Sequence, residues 1–550
     1  MNARPPVGFS SVDASASMED DVTDVDRGTG TVDRRTVLHG VALSGAALAA
    51  MSGGGFTVLA QGGATPSASP VASPAASPVA RLAELAIDLD RGPDNLDPAL
   101  AYSARDWSIV HSLYDSLLHF AADGEIVPLA AESFTSDDAA NFHVVLREGL
   151  TFHDGTPVKA EAIARSVTHI QESESQIAAL FQGISSVEVV DDRTAILHCK
   201  EPSAWLPSQI AVWLVLFPEG MDEQTWWTAP VGTGPYRFAA YDAGSSLTLV
   251  RNEAYFAGSP KGEAMADRVT YRFVPEAATR IADLATGAAQ IVTSVPLDQR
   301  DAVADAGANA VVDPILGTSF IRIATDTKPF DDPRVCQALN HAIDVETIAT
   351  TLVAPESHRL AALYPDSRGL GFDPALAPFA YDPDKARSLL AEAGLADGFD
   401  TTLQFVATEK TDALEAIASY LGEVGIRVTL EAAELAAFNQ AWPDTSAPPL
   451  RYASWRPLYD PHSLLSLMYL STGYLSRYAN PAVDALILAA AAEADVDART
   501  ELYRELGREM QAAPGAVYLC NLVSGYGVAP EAGAWSPRGD DYTLAMANPR

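Results

Sequence analysis

The 550-residue chain contains little cysteine and few basic residues. Its three cysteines, Cys199, Cys336 and Cys520, lie too far apart in sequence to suggest a disulfide framework or a Cys-x-x-Cys zinc site. We therefore expect the cysteines to be small buried apolar side chains. Lysine and arginine number 36 against 72 aspartates and glutamates, so the formal net charge is −36. This balance argues against a duplex nucleic-acid binder, which needs a basic face, and against adsorption to anionic lipid.

Motifs for catalysis are also missing. The sequence has no Gly-x-x-x-x-Gly-Lys phosphate loop, no Gly-x-Ser-x-Gly nucleophile elbow and no His-Glu-x-x-His. Residues 232–237 begin like a dinucleotide fingerprint, but Arg237 replaces the third glycine and Pro235 has no N–H for a phosphate, so we expect a turn. The histidines are scattered, without other ligands at metal-binding spacing. The sequence therefore predicts no enzyme activity, no cofactor and no metal.

The first eighty residues do not read as a folded domain. Arg34 and Arg35 precede an apolar run at 37–51, and the segment closes on Val58-Leu59-Ala60 with small residues at suitable spacing. A helix of about 15 residues spans about 22 Å, less than the ~30 Å of a hydrocarbon core. The order of charged, apolar and small residues predicts a secretory signal, and the arginine pair resembles a twin-arginine signal, with the leader ending near residue 63.

A Pro/Ser/Ala repeat, ATPSASPVASPAASPVA, fills residues 64–80. This composition predicts an extended linker, because it cannot bury a core. No cysteine lies between the apolar run and Cys199, so we expect no lipid anchor. The predicted mature chain is exported to the periplasm or cell envelope and has no membrane span.

From about residue 81 onward, helix and strand patterns alternate. Alternating apolar runs at 195–199 and 246–250 predict strands, and Asp-Pro pairs at 332–333 and 382–383 predict helix starts. An amphipathic stretch at 411–422 predicts a third helix. This mixture indicates an α/β or α+β architecture.

Four blocks along the chain resemble family 5, the peptide- and nickel-binding family, of the solute-binding proteins of bacterial ABC importers. The blocks are NLDP at 95–98 with YDSLL at 114–118, FHVVLREGLTFHDGTPV at 142–158, VGTGPY at 231–236 with LVRNEAYF at 249–256, and PFDDPRVCQALNHAID at 329–344 with YDPDKA at 381–386.

The resemblance implies an α/β, two-lobed, periplasmic-binding-protein-like (type II) fold that closes on a solute. It implies a monomer that delivers this solute to the permease subunits of an ABC transporter. The expected parts are lobe I at 81–125, 229–320 and 520–550, an inserted subdomain at 126–228, lobe II at 321–519, and hinge strands near 321–324 and 518–522.

The resemblance places the solute site around residues 452–462. Peptide-binding relatives typically have an Asp three residues after the Trp matched by Trp455, where it pairs with the peptide's amino terminus; this chain has Leu458 there. Trp455 and Tyr459 match pocket residues of the nickel-binding branch. That branch's metal-ligating His corresponds to Gly473, which predicts no direct nickel ligation here.

The candidate ligand-binding residues are therefore Tyr102 and Trp107 from lobe I, opposite Trp455, Arg456 and Tyr459. Aromatic rings provide flat apolar walls, and Arg456 is suited to hold a carboxylate or phosphate bidentately. Alternatively, Trp455 and Tyr459 pack a core turn. Four further tryptophans line either the cleft or the subdomain core: Trp205, Trp213, Trp226 and Trp227.

The main functional hypothesis is capture of a peptide-like or similar small polar solute for an ABC importer. One alternative is a binder of a chelated metal such as nickel. A secreted hydrolase is a further alternative, although no nucleophile–base pair is recognisable. A signalling receptor with the same fold is the last.

Overall fold

The computed structural model describes residues 81–547 except Gln176 and Leu458. The predicted signal and linker, and Leu458, lie outside the described residues. Within the described range, no helix combines the length and the hydrophobicity needed to cross a bilayer.

The strands range from two-residue pairings to a fifteen-residue strand. They are β1 (Leu82–Leu89), β2 (Leu118–Phe120), β3 (Ile126–Pro128), β4 (Ala131–Thr135), β5 (Asn141–Leu146), β6 (Ile184–Val189), β7 (Thr194–Cys199), β8 (Tyr236–Asp242), β9 (Ser246–Arg251), β10 (Glu263–Ala264), β11 (Ala266–Phe273), β12 (Ile291–Val292), β13 (Asn309–Ile323), β14 (Phe399–Val406), β15 (Ile426–Ala433), β16 (Leu450–Trp455), β17 (Ala516–Val528) and β18 (Met546–Ala547).

The helices are mostly short and separate these strands. They are α1 (Ala104–Leu113), α2 (Glu161–Glu172), α3 (Ala178–Phe181), α4 (Leu206–Trp213), α5 (Glu223–Thr228), α6 (Ala277–Thr286), α7 (Arg300–Asp305), α8 (Pro333–Ala342), α9 (Val345–Ile348), α10 (Pro383–Glu392), α11 (Asp412–Glu423), α12 (Leu435–Gln440), α13 (His462–Met468), α14 (Pro481–Ala492) and α15 (Val496–Ala512).

A mixed sheet runs through the molecule in the order β15-β14-β16-β13-β17-β12-β1-β11-β9-β8. β14 is parallel to β15 and β16, and β1 is parallel to β11 and β12. The long strands β13 and β17 lie antiparallel between these two halves and join them. A separate antiparallel sheet has the order β4-β5-β7-β6. The predicted mixture of strands and helices is confirmed, whereas the domain boundaries stay a prediction.

The β13–β17 ladder is interrupted near its middle. Register shifts occur between Pro314 and Thr318 and between Thr318 and Phe320. Inside this interval the Leu316 amide donates to the Gly539 carbonyl at 2.6 Å. A side chain at position 317 would meet Leu522 and Arg456 at about 3 Å, so Gly317 allows close packing there. The two central strands therefore consist of two paired stretches joined by an irregular bend.

The Asp-Pro pairs begin helices as predicted. Asp332 caps α8 by accepting from the Arg334 amide at 2.9 Å, and Asp382 caps α10 by accepting from the Lys385 amide at 2.8 Å. In both helices Pro occupies the first turn, where its missing N–H breaks no helical bond. The predicted third helix is α11, and the alternating runs form β7 and β9. Caps and apolar periods are local signals, which explains why these elements were predictable.

The predicted turn at 232–237 packs against the end of α1. The Gly234 amide donates to the Leu113 carbonyl at 2.9 Å. A Cβ at Gly232 would lie 2.1 Å from that carbonyl oxygen, and one at Gly234 would lie 2.5 Å from the Leu113 carbonyl carbon. The glycines thus allow two backbones to meet. The chain bends at 233–235, and the last two residues of the predicted turn, Tyr236 and Arg237, instead begin β8.

Candidate functional site

A cavity of about 470 Å3 has three main walls. One wall comes from the loop before α1 and its first residues, a second from α3 and α4, and a third from the end of β16 and α13. The lining residues are Arg91, Tyr102, Ser103, Ala104, Arg105, Phe120, Ile177, Leu180, Ser208, Gln209, Val212, Trp213, Ser454, Trp455, Arg456, Pro457, Tyr459, Asp460, Ser463, Leu467, Asp540 and Tyr542.

The first wall is organised by one buried carboxylate. Asp106, in the first turn of α1, accepts from the amides of Asp94 at 2.7 Å and of Tyr102 and Ser103 at 3.0 Å. The Ser103 hydroxyl caps α1 by accepting a hydrogen bond from the Asp106 amide at 3.2 Å. This capping box fixes the loop backbone. It leaves the Tyr102 ring 59% exposed at the cavity.

The second wall presents Trp213, at the end of α4. Its ring is parallel to that of Tyr102, with centroids 6.3 Å apart and planes 6° apart. Behind it, Trp107 meets Trp213 edge-on at 4.9 Å and is fully buried, with its indole N–H donating to the Ala101 carbonyl at 2.9 Å. The structure thus places Trp107 behind the aromatic wall, outside the cavity lining.

The third wall carries the other predicted residues. Trp455 is half-buried at the end of β16, and Arg456, which follows it, is exposed. Tyr459 stacks on Phe120 with ring centroids 3.7 Å apart and planes 11° apart. This stack connects the third wall to the β2 side of the cleft.

Arg456 forms an ion pair at the rim of the cavity. Its guanidinium donates to Asp541, and these side chains are 40% and 21% exposed. Asp541 is held in turn by the hydroxyls of Ser524 at 2.6 Å and Tyr526 at 2.8 Å, both on β17. The carboxylate is therefore anchored, and the more exposed arginine faces the cavity.

Two further arginines, Arg91 and Arg105, line the same cavity. Arg105 Nη1 lies 3.3 Å from Asp90, and Arg91 Nη2 lies 3.6 Å from Asp94. Asp94 and Arg91 are each about 60% exposed, so solvent screens this pair strongly. Three guanidinium groups therefore border one aromatic-walled cavity.

The carboxylates that line the cavity are engaged within the protein. Asp460 is 5% exposed and accepts from Arg499, from the Tyr503 hydroxyl at 3.2 Å and from the His462 amide at 3.0 Å. Asp540 is buried, accepts from the Tyr542 amide at 3.0 Å and lies 3.6 Å from Arg538; burial raises the pKa of this carboxyl. Neither carboxylate is positioned as a free partner for a solute ammonium.

The surroundings of His462 do not form a metal site. Its ring stacks on Trp205 at 4.8 Å, and burial lowers its pKa to about 4, which keeps the imidazole neutral. A Cβ at Gly473 would lie 2.5 Å from the carbonyl oxygens of Ser466 and Leu467, so a histidine does not fit there. Across the described part of the chain, no group of three or more His, Cys, Asp or Glu side chains is placed to hold a metal.

The structure brings Tyr102, Trp455, Arg456 and Tyr459 to one cavity, and their roles in binding stay a prediction. The sequence reasoning missed several lining residues and left Trp213 undecided among four tryptophans. Arg91, Arg105, Phe120, Asp540 and Tyr542 carry no local motif for binding. Only the tertiary fold brings them to Trp455.

Comparisons with known proteins show the family and the fold. The model of the bacterial extracellular solute-binding proteins, family 5 Middle, matches residues 125–476. The glutathione-binding protein GsiB of Pectobacterium atrosepticum is 31% identical over 349 residues, which is 62% of this chain and 67% of that protein.

Solved structures share the fold at low identity. The murein tripeptide-binding protein MppA of Escherichia coli is 22% identical with a TM-score of 0.67, over 85% of this chain and 98% of that one. NikA of Brucella suis, solved with Fe(III)-EDTA, is 23% identical with a TM-score of 0.73, over 84% and 98%. The predicted two-lobed binding-protein fold and the non-catalytic, solute-binding function are confirmed. The chain belongs to family 5 of the bacterial extracellular solute-binding proteins.

Proposed function

We propose that the cleft binds a peptide-like solute by the carboxylate groups of that solute. We also propose that the protein delivers the solute to the permease of an ABC importer. The observation that carries the proposal is the cavity of about 470 Å3 with aromatic walls and three bordering arginines. Aromatic faces pack against apolar parts of a solute, and arginine forks bind carboxylates bidentately. Tyr102, Trp455, Arg456 and Tyr459 are the proposed contacts, with Trp107 supporting the wall.

The engaged carboxylates favour recognition of the acidic end of the solute. A buried ammonium needs an acceptor of opposite charge, but Asp460 is held by Arg499 and Asp540 lies beside Arg538. Relatives near 30% identity bear the name glutathione-binding protein, and glutathione is a tripeptide with two carboxylates. A solute with two or more carboxylates fits the bordering arginines better than a cationic peptide does.

The export route and the oligomeric state of the protein also follow from its sequence as proposals. We propose export through the twin-arginine signal at residues 34–35, separation from the leader by the linker at 64–80, and action as a monomer. The lobe boundaries given above are part of the same proposal. N-terminal sequencing of the exported protein tests the signal, and light scattering tests the monomer.

Ligand-induced stabilisation tests the binding function. We expect glutathione or a similar acidic tripeptide to raise the melting temperature, and the same peptide with both carboxylates amidated to have no effect. The Trp455→Ala variant should bind the acidic peptide at least about tenfold more weakly than the parent does, because one aromatic wall is removed. The fold should remain intact, since Trp455 is only half-buried.

The control is Tyr474→Ala, which removes an aromatic ring that is 69% exposed and outside the cavity lining. This variant should bind like the parent. Equal stabilisation of the parent by the acidic and amidated peptides would contradict carboxylate recognition. Undiminished binding by Trp455→Ala would contradict the site.

A further inference from the structure

Two arginines lie buried opposite each other in the main sheet. Arg322 on β13 and Arg451 on β16 are direct Cα partners of the antiparallel ladder, so their side chains share one face. They are 1% and 0% exposed. Arg451 precedes Trp455 by four residues, about 13 Å along the strand, which separates the two arginines from the cleft contacts. We refer to Arg322 and Arg451 as the buried arginine pair.

Aromatic rings cover the buried arginine pair. The guanidinium carbon of Arg451 lies 3.9 Å from the ring centre of Phe438 and 4.2 Å from that of Trp442. The guanidinium carbon of Arg322 lies 5.2 Å from the Trp442 ring centre. Cation–π contacts of this kind attract each cation to the ring, but they provide no hydrogen-bond acceptor in the plane of the guanidinium.

Most of the donors of the pair have no acceptor. Arg451 donates through Nη2 to the Phe438 carbonyl. Its Nε and Nη1, and all three nitrogens of Arg322, have no hydrogen-bond partner among the described residues. Leaving charged donors buried and unpaired is costly, and like charges directly opposite on a sheet repel.

The neighbouring groups do not neutralise this charge. Asp326 is engaged by Arg477, with contacts of 2.7 and 3.0 Å. The Gln404 amide oxygen and the Tyr469 hydroxyl are also buried and unpaired, but both groups are neutral. Burial, together with the charges of Arg451 and Arg477, lowers the pKa of Arg322 to about 9. Burial lowers the pKa of Arg451 to about 10, so both arginines remain charged at pH 7.

We propose that the buried arginine pair binds a small inorganic monovalent anion, of the size of chloride, between the two guanidinium groups. An anion satisfies donors and charge together, which the neutral oxygens nearby do not. The burial of the site limits the size of the ligand: Tyr469 is 0% and Trp442 8% exposed. The site lies in a different place from the proposed solute contacts and does not depend on the solute.

Bromide provides a direct test, because its anomalous scattering identifies it in a crystal. We expect crystals of the mature protein grown in sodium bromide to show an anomalous peak within hydrogen-bonding distance of Arg322 and Arg451. Water at that position, or no peak there while surface bromide ions are visible, would overturn the proposal. This experiment needs no variant and therefore does not depend on how a substitution folds.

Anion-dependent stability provides the second test. We expect the melting temperature to be about 2–4 °C higher in sodium chloride than in sodium gluconate of equal ionic strength, since only the small anion fits the site. Arg322→Met should remove this difference. The matched control, Arg334→Met, changes an exposed arginine paired with Asp332 and should keep it. A difference that persists in Arg322→Met, or that is absent from the parent, would contradict the proposal.

Discussion

Two arginine–aspartate pairs beside the cleft use the same chemistry in opposite surroundings. Arg499 and Asp460 are 6% and 5% exposed, and further hydrogen bonds from Tyr503 and the His462 amide complete the carboxylate's shell. Arg456 and Asp541 are 40% and 21% exposed, and the arginine borders the cavity. Burial therefore distinguishes an ion pair that is shielded from water within the fold from one that stays accessible to solvent.

The physical reason is hydration. A buried pair has lost its water, so neither partner can leave without exposing an uncompensated charge to a low dielectric. A pair at the rim is screened by solvent and gains little from its own contact. Under the proposed function, a solute carboxylate would share Arg456 at small cost. Arg499, by contrast, also donates to the Ala204 carbonyl at 2.7 Å and connects distant segments.

Breaking the Arg499–Asp460 ion pair should give the largest loss of folding stability. In Asp460→Asn the Arg499 charge loses its partner, and we expect the free energy of unfolding to fall by about 3–5 kcal/mol. Urea denaturation of the parent and the variant measures this change. The control Asp400→Asn alters a carboxylate that is 81% exposed beside Arg427, and its loss should stay below about 1 kcal/mol. Similar losses of unfolding free energy in the two variants would show that burial does not set the strength of these ion pairs.

A buried carboxyl group beside a partly exposed arginine should give an intermediate effect on stability. Asp88 is fully buried beside Arg272, whose side chain is 28% exposed, and burial raises the pKa of Asp88 from 3.8 to about 7. The folded state then binds this proton more tightly than the unfolded state. The resulting stabilisation is complete at low pH and is lost as the pH rises through about 7.

We expect this loss to reach about 2 kcal/mol between pH 5 and pH 7, since each pH unit in the window is worth at most about 1.4 kcal/mol. Asp88→Asn has no such proton, so its free energy of unfolding should depend less steeply on pH. Denaturation curves at three pH values for both proteins give the difference. Parallel pH profiles would show that Asp88 is ionised throughout.

The rim pair should show the smallest effect on stability and a separate effect on binding. Arg456→Gln should cost less than about 1 kcal/mol of folding free energy, because the pair is solvent-screened. The same change should weaken an acidic peptide by about tenfold, the loss of one charge-assisted contact. Calorimetry with the peptide and denaturation of the free protein measure the two quantities.

The variant Asp541→Asn sharpens this test, because it removes the internal competitor for Arg456 and keeps a side chain of the same shape. We expect it to bind the acidic peptide at least as tightly as the parent. If Arg456→Gln and Asp541→Asn weaken peptide binding equally, the intact Arg456–Asp541 ion pair is required for binding. That result would contradict a separate role of Arg456 in binding the solute.

The features that were predictable from sequence are those with local signals. The Asp-Pro caps of α8 and α10 and the apolar period of α11 needed only neighbouring residues. The four family blocks indicated the fold, and the separate resemblance of residues 452–462 indicated the Trp455 region. They did not place Trp107, whose burial behind Trp213 follows from packing between α1 and α4.

The buried arginine pair shows the opposite limit. Arg451 follows Leu450 and precedes Tyr452, and this local alternation carries no signal that the arginine is buried. In the structure α12 and the residues after it cover the strand face that carries Arg451, with Phe438 and Trp442 over its guanidinium. A strand pattern reports which residues share a face, but the layer that covers the face is set elsewhere in the chain.

The interrupted ladder between β13 and β17 has a mechanical consequence. Bending a continuous ladder breaks hydrogen bonds, whereas here the register already shifts between Pro314 and Phe320 and the Leu316 amide bonds to Gly539 instead of to β17. A rotation of the two paired stretches about this point would leave the ladders on either side intact. Such a rotation would therefore cost little in backbone hydrogen bonds at this point of the sheet.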